Sequence, residues 1–281
     1  MQRKEQWVAL PGSAVAFVHS DWQRPLATAG LSNTTDFFDA IGEPLSKPGL
    51  GKRYRARLVA SRESDDHILY LKRYQSERFG SRAKRWFEDA SFNTPAHRDV
   101  QVASALAQHG ISVPETVAWG YERSLGRRAR SFVVSRAVPG DAIDRTLHQS
   151  PFLAKDLEAF QRKRRLVREL ALLARKFHEL GWCHRDFYLC HVFVHWVEAT
   201  PRLSLIDLQR VFRPRWRVWR WRIKDLAQLN YSGQMFSRSM RLRFAKWYFG
   251  QDCLSASQKA VLRKVQRKTE SIARRDQARR S

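Results

Sequence analysis

The sequence predicts an α+β fold in two lobes. A small β-rich lobe takes residues 1–140, a helical lobe takes 141–256, and a basic helix or tail takes 257–281. Three observations carry this expectation. Short alternating or apolar runs bounded by turn residues dominate the first 140 residues. A long stretch with helical apolar spacing opens the second part, between Glu158 and Leu180. Beyond residue 215 helical character prevails, and the last stretch is crowded with Lys and Arg. With 281 residues, 43% of them hydrophobic, the chain can bury a sizeable core.

The elements follow in order. Trp7 to Val18 comes after Arg3 and Lys4 as a signal peptide would, but Pro11-Gly12 interrupts it, so it reads as a pair of short strands. No apolar run reaches the roughly 20 residues that a membrane-spanning helix needs. Arg53–Ala60 and His67–Tyr74 read as a hairpin turning over Ser61–Asp66. Asp99 to His109 has Val100, Val102, Ala103, Leu106 and Ala107 at helical spacing and stops at Gly110. Strands are expected over Val117–Gly120 and Ser131–Ser135, and Pro139-Gly140 marks the boundary between the lobes. In the long helix Leu166, Leu170, Leu173 and Phe177 recur on one face, and Gly181 ends it.

Lys plus Arg total 52 against 27 acidic residues, a net charge of +25. Self-repulsion of that size calls for an anionic partner, whether nucleic acid, an acidic membrane face or a polyphosphorylated substrate. Cys183, Cys190 and Cys253 form no CxxC pair and no metal-ligand spacing, which argues against a disulfide framework and fits a reducing cytoplasm.

The chemistry concentrates after Gly181. His184-Arg185-Asp186 follows the end of the long helix and resembles the protein-kinase catalytic loop, His-Arg-Asp-x-x-x-x-Asn, whose Asp orients the attacking hydroxyl and accepts its proton. Asp186 stands at the Asp; His191 stands where the metal-binding Asn would be. The tripeptide alone could be a surface turn. Its companions give it weight. Leu203-Ser204-Leu205-Ile206-Asp207 is an apolar run ending in an Asp, where kinases carry a second, metal-binding Asp, although no Phe-Gly follows. Lys72 sits between Leu71 and Arg73 in a strand, at the place of a Lys that contacts nucleotide phosphates. Its carboxylate partner is expected to be Asp99, one methylene shorter than the usual Glu, with Glu88 as the alternative. Gly49 and Gly51 precede the hairpin where a phosphate-covering loop belongs, a weak signal by itself.

One family shares the unusual substitutions. His184-Arg185-Asp186-Phe187-Tyr188-Leu189-Cys190-His191, then Ser204-Leu205-Ile206-Asp207-Leu208-Gln209-Arg210, then Arg220-Trp221-Arg222-Ile223-Lys224-Asp225-Leu226-Ala227-Gln228-Leu229 together resemble the bacterial lipopolysaccharide core heptose kinases and the related Kdo kinases. The resemblance runs from about Arg53 to Gly250. It implies a two-lobed protein-kinase-like fold, ATP and Mg²⁺, and a sugar hydroxyl of the inner core as acceptor, heptose first with Kdo or another hydroxyl as the alternative. It also implies Asp186 as catalytic base, Lys72 as phosphate ligand, Asp207 and His191 at the metal, and Asp225 as a brace of the catalytic loop.

The charge then acquires a partner. From Arg213 to Arg222 guanidinium groups alternate with indoles. Arg185, Arg215, Arg217 and Arg220 are expected to face the acidic glycolipid or the anionic membrane surface, which places the enzyme peripherally on the inner face of the bacterial inner membrane. A nucleic-acid partner is not expected, because no binding motif for one is present and that reading leaves the order Lys72, His-Arg-Asp, Ile-Asp unexplained. A catalytically dead scaffold is disfavoured by the presence of Asp186, Asp207 and Lys72 together. Oligomeric state leaves no signature in the sequence.

Overall fold

The structure is a computed structural model, and it describes residues 7–12, 15–44, 53–63, 65–74, 94–122 and 130–280. The chain divides into two compact units, Met1–His109 with Val113–Val138, and Gly110–Ser112 with Pro139–Ser281.

The first unit is built on a seven-stranded antiparallel sheet. Its strands are β1 (Trp7–Ala9), β2 (Val15–His19), β3 (Glu43–Pro44), β4 (Arg53–Arg62), β5 (Asp65–Tyr74), β6 (Thr116–Tyr121) and β7 (Ser131–Arg136), in the spatial order β1-β2-β6-β7-β5-β4-β3. Strand alternation divides β5 between two faces. Leu69 and Leu71 are fully buried with Trp22 and Leu26 of α1 (Ser20–Thr28) and Phe37 of α2 (Thr34–Asp39). Phe37 also stacks on Phe132 with ring centroids 4.7 Å apart. Tyr74 turns to the other face and packs with Val133 and with Ala96 of α3 (Pro95–Gln108). The hairpin turn is tighter than the sequence suggests, because β4 runs on to Arg62 and β5 resumes at Asp65, and the Ser61 hydroxyl donates to Asp66 at 2.5 Å. Helix α3 starts four residues before the expected Asp99, with Pro95 in its first turn and the Thr94 hydroxyl accepting the His97 N–H at 3.3 Å.

In the second unit Gly140 follows Pro139, and its φ of 84° and close approach to the Val194 carbonyl leave no room for a Cβ. A three-stranded antiparallel sheet is formed by β8 (Asp141–Ala142), β9 (Val192–Val197) and β10 (Thr200–Leu205) in the order β10-β9-β8. Two short helices, α4 (Ile143–Thr146) and α5 (Ser150–Leu153), lead to the long α6 (Leu157–Glu179), capped by Asp156 and buried along Leu166, Leu170 and Phe177. Gly181 follows at φ 84°, the left-handed stop that its position after the helix predicts. The sequence reading has a strand only near Leu203–Asp207; β10 begins earlier, at Thr200, and pairs with the unforeseen β9. The chain continues through α7 (Val218–Ser232) and α8 (Arg238–Phe249) to α9 (Ala256–Arg280). The basic terminal stretch is thus a packed helix. Val265 and Thr269 are buried, and the Thr269 hydroxyl donates to the Ala227 carbonyl of α7 at 3.3 Å. Among the described residues no helix is long and apolar enough to cross a membrane.

Candidate active site

In the first unit Lys72 lies on β5, and its Nζ is 3.8 Å from the Asp99 carboxylate on α3. Both side chains are largely covered, at 18% and 7% exposure. The Tyr74 hydroxyl donates to the same Asp99 oxygen at 2.7 Å. Lys72 and Tyr74 are two residues apart on one strand and so share a face, which brings both to the helix that carries Asp99. The long Lys72–Asp99 separation fits a carboxylate one methylene short of Glu.

In the second unit the segment 184–189 is held by its own backbone, and α7 supplies the partners. Asp225, wholly buried, accepts the N–H of His184 at 2.7 Å and of Arg185 at 2.9 Å. Gln228 accepts the Phe187 N–H at 3.0 Å and donates to the Arg185 carbonyl at 2.9 Å. The Ser232 hydroxyl accepts the Leu189 N–H at 3.0 Å. Asp225, Gln228 and Ser232 are spaced i, i+3 and i+7, so one helix face meets the whole loop. Arg185 sits there at φ 69°, a conformation unfavourable for a side chain with a Cβ.

A second layer supports Asp225. His178 of α6 approaches it through Nε2 at 3.3 Å and meets the Tyr248 hydroxyl of α8 through Nδ1 at 2.8 Å. With the proton on Nε2, Nδ1 accepts from Tyr248. His178, Cys183 and Asp225 lie close enough together to suggest a metal cluster. The carboxylate already takes two backbone N–H groups and both imidazole nitrogens are engaged, so the cluster works as a hydrogen-bond network.

Asp186 emerges from this frame with its carboxylate paired to Arg210, whose Nη1 donates to Oδ1 at 2.9 Å and Oδ2 at 2.7 Å. Lys224 Nζ donates to the Arg185 carbonyl at 2.5 Å, beside Asp186. Burial lowers the Lys224 pKa, opposed by the nearby Asp186 charge. Asp207 stands at φ 59°; Gln209 Nε2 donates to its Oδ1 at 2.7 Å, and His191 Nε2 is 3.6 Å from Oδ2.

His191 lies beside Asp207, as its expected place at the metal requires. Its Nδ1 donates to the Asp186 carbonyl at 2.7 Å. Burial pulls its pKa down, but the Cys190 side chain, the Asp186 carbonyl and the Asp207 carboxylate together raise it to about 9. His191 thus stands between the Asp186 carbonyl and the Asp207 carboxylate, with Nε2 on the Asp207 side. Mg²⁺ takes oxygen ligands and often only one or two carboxylates, the remainder being phosphates and water, so the Asp207 carboxylate fits it.

Arg185, expected to face substrate or membrane, has its guanidinium over the rings of Phe212 and Trp221, at 5.2 and 5.0 Å. Aromatic packing of this kind holds the loop. Arg215, Arg217 and Arg220 are exposed, as are Trp216 at 72% and Trp219 at 49%. Gly49, Gly51 and Glu88 lie outside the described residues. Sequence reasoning missed Tyr74, Arg210, Lys224, Gln228 and Ser232 as site residues. The polar stripe Asp225, Gln228, Ser232 in an otherwise apolar helix was the available signal for two of them.

Comparison with known proteins follows from this arrangement. A curated relative, the lipopolysaccharide core heptose(I) kinase WaaP of Pseudomonas aeruginosa, is 29% identical over 269 residues, 88% of this chain and 94% of the relative. WaaP of Escherichia coli K12 is 38% identical over 94 residues, 31% of this chain and 36% of the relative. The solved structure of WaaP in complex with acyl carrier protein matches with a TM-score of 0.66 and 23% identity over 91% of this chain and 98% of that one, a likeness of fold. The profile of the Lipopolysaccharide kinase (Kdo/WaaP) family matches residues 49–248. The α+β chain with its antiparallel first sheet and helical second unit belongs to the lipopolysaccharide kinase (Kdo/WaaP) family.

Proposed function

We propose that the chain transfers the γ-phosphate of ATP to a sugar hydroxyl of the lipopolysaccharide inner core, heptose being the favoured acceptor. The observation that carries this reading is the placement of Asp186 on a backbone clamped by Asp225, Gln228 and Ser232, with Arg210 fixing its carboxylate. Asp186 orients the acceptor hydroxyl and takes its proton as the oxygen bonds to the γ-phosphorus. The bond from that phosphorus to the β–γ bridging oxygen breaks, and ADP leaves with the electron pair. Lys72, positioned by Asp99 and Tyr74, contacts the nucleotide phosphates. Asp207 would hold Mg²⁺, which neutralises phosphate charge when bound.

The same reading puts the enzyme at the inner face of the bacterial inner membrane, where its acceptor is anchored. Exposed Arg215, Trp216, Arg217 and Trp219 support it, since cations and interfacial indoles suit an acidic headgroup layer. The test is transfer of labelled γ-phosphate from Mg·ATP to purified lipopolysaccharide lacking core phosphate, with Asp186→Ala as control. Label that appears on heptose and vanishes in the variant is expected. Label on Kdo would move the acceptor, and no incorporation by a folded, ATP-binding enzyme would overturn the reading.

A further inference from the structure

A groove of about 480 Å³ runs between α7 and α9 in the second unit, and five cations line it. Arg220 and Lys224 come from α7, spaced i, i+4. Lys264, Arg267 and Lys268 come from α9, spaced i, i+3 and i+4. No carboxylate lines the groove, and none of the five forms an ion pair among the described residues. Like charges one helical turn apart repel. Two such rows facing each other work against the packing of α7 on α9 unless an anion lies between them.

The groove adjoins the catalytic loop. Lys224 lines it and also donates to the carbonyl of Arg185, the residue before Asp186. A group bound there is therefore one side chain away from the catalytic carboxylate. Its concave form also matters. Donors on two walls can converge on one oxyanion, as isolated exposed side chains do not.

We propose that this groove is the anion subsite for the acceptor, taking a carboxylate or phosphate that the glycolipid carries beside the sugar to be phosphorylated. This rests on the functional reading above and deepens it. Which hydroxyl reaches Asp186 is set by the distance from that anionic group to the hydroxyl, so the groove acts as the ruler of acceptor specificity.

The experiment compares the full-length wild type with Lys264→Ser/Arg267→Ser, both exposed positions, and with Arg164→Ser/Arg168→Ser, which removes the same charge from a separate exposed basic patch. Transfer from Mg·ATP is measured to lipopolysaccharide lacking core phosphate, presented in neutral detergent micelles. The groove variant is expected to raise the acceptor KM roughly tenfold or more, leaving the ATP KM unmoved, and the patch variant to change neither. Three results overturn the proposal. The groove variant keeps the wild-type acceptor KM; or both variants raise it alike, which is bulk charge; or the groove variant loses only binding to phosphatidylglycerol vesicles, which is membrane docking. Should the wild type transfer nothing, the functional reading fails by itself. Retention of the protein on the same micelles without nucleotide then decides the groove: retention lost only in the groove variant upholds the anion subsite, and equal retention in all three proteins overturns it.

Discussion

The buried carboxylate of Asp225 accepts the backbone N–H of Arg185 at 2.9 Å, and Arg185 holds a left-handed φ of 69° that an arginine adopts only under constraint. The strain lies one residue before Asp186, and the clamp that maintains it comes from another helix. Asp225→Ala leaves the buried His184 N–H and the half-buried Arg185 N–H without this acceptor, the first costing about 1–3 kcal/mol and the second less. Urea unfolding should show a loss of roughly 3 kcal/mol, with phosphoryl transfer falling below detection. Asp225→Asn keeps the shape and one oxygen and should lose less. Wild-type stability in the alanine variant would remove Asp225 from its bracing role.

Arg210 meets both carboxylate oxygens of Asp186. Both contacts come from the one nitrogen Nη1, whose direction the planar guanidinium fixes and a rotating ammonium does not. Arg210→Lys should therefore be nearly as damaging as Arg210→Ala, each lowering kcat roughly tenfold or more with the KM for ATP little changed. A lysine variant with wild-type kcat would mean that only the charge matters.

Lys72→Ala should lower phosphoryl transfer roughly a hundredfold or more, because a fixed cation at the phosphates is lost. Tyr74→Phe removes the 2.7 Å hydrogen bond to Asp99, so it should cost about 1 kcal/mol in stability and mainly raise the KM for ATP. Steady-state kinetics and thermal unfolding on the two variants separate these roles. An unaltered KM in Tyr74→Phe would show that Asp99 positions Lys72 without it.

His184 makes stability depend on pH. Its Nε2 donates to the Ile206 carbonyl at 3.1 Å, while Nδ1 is buried with no hydrogen-bond partner among the described residues. Burial lowers its pKa, so the folded protein keeps the ring neutral. Below about pH 6.5 the unfolded chain binds a proton that the folded chain does not, and stability falls as pH falls. The slope is at most about 1.4 kcal/mol per pH unit. Urea unfolding at pH 7.5 and 5.5 should show this drop in the wild type and a smaller one in His184→Phe.

Arg215→Ser/Arg217→Ser should weaken cosedimentation with acidic vesicles at low salt, by about 1 kcal/mol per charge removed. Both positions lie outside the groove between α7 and α9. Transfer to micellar acceptor should be unaffected. Unchanged vesicle binding would exclude this segment as the membrane contact.

Much of this was legible in the residues. The alternation of Leu69, Leu71 against Lys72 and Tyr74 announces a strand with two differently used faces, and Gly181 marks the end of α6. What escaped did so for physical reasons. Strand β9 mixes His195 and Trp196 into a short run, so its period is hidden, and its hairpin partner is recognisable only once the two are paired. Arg210 and Lys224 look like two members of a general basic surplus, and only the fold selects them from the other 50 cations by aiming them at Asp186 and the Arg185 carbonyl. The position of His191 is readable from the sequence, but the hydrogen bond from its Nδ1 to the Asp186 carbonyl appears only in the fold.

The docking of α9 has a consequence in time. The ribosome releases residues in order, so the loop around Asp186 and its brace α7 are available well before Thr269 can donate to the Ala227 carbonyl. Until α9 emerges, the face of α7 that it covers is bare, and Arg220 and Lys224 have no second row of cations opposite them. The groove is completed only when α9 has left the ribosome, so a nascent chain stalled before that point should lack the second wall of cations.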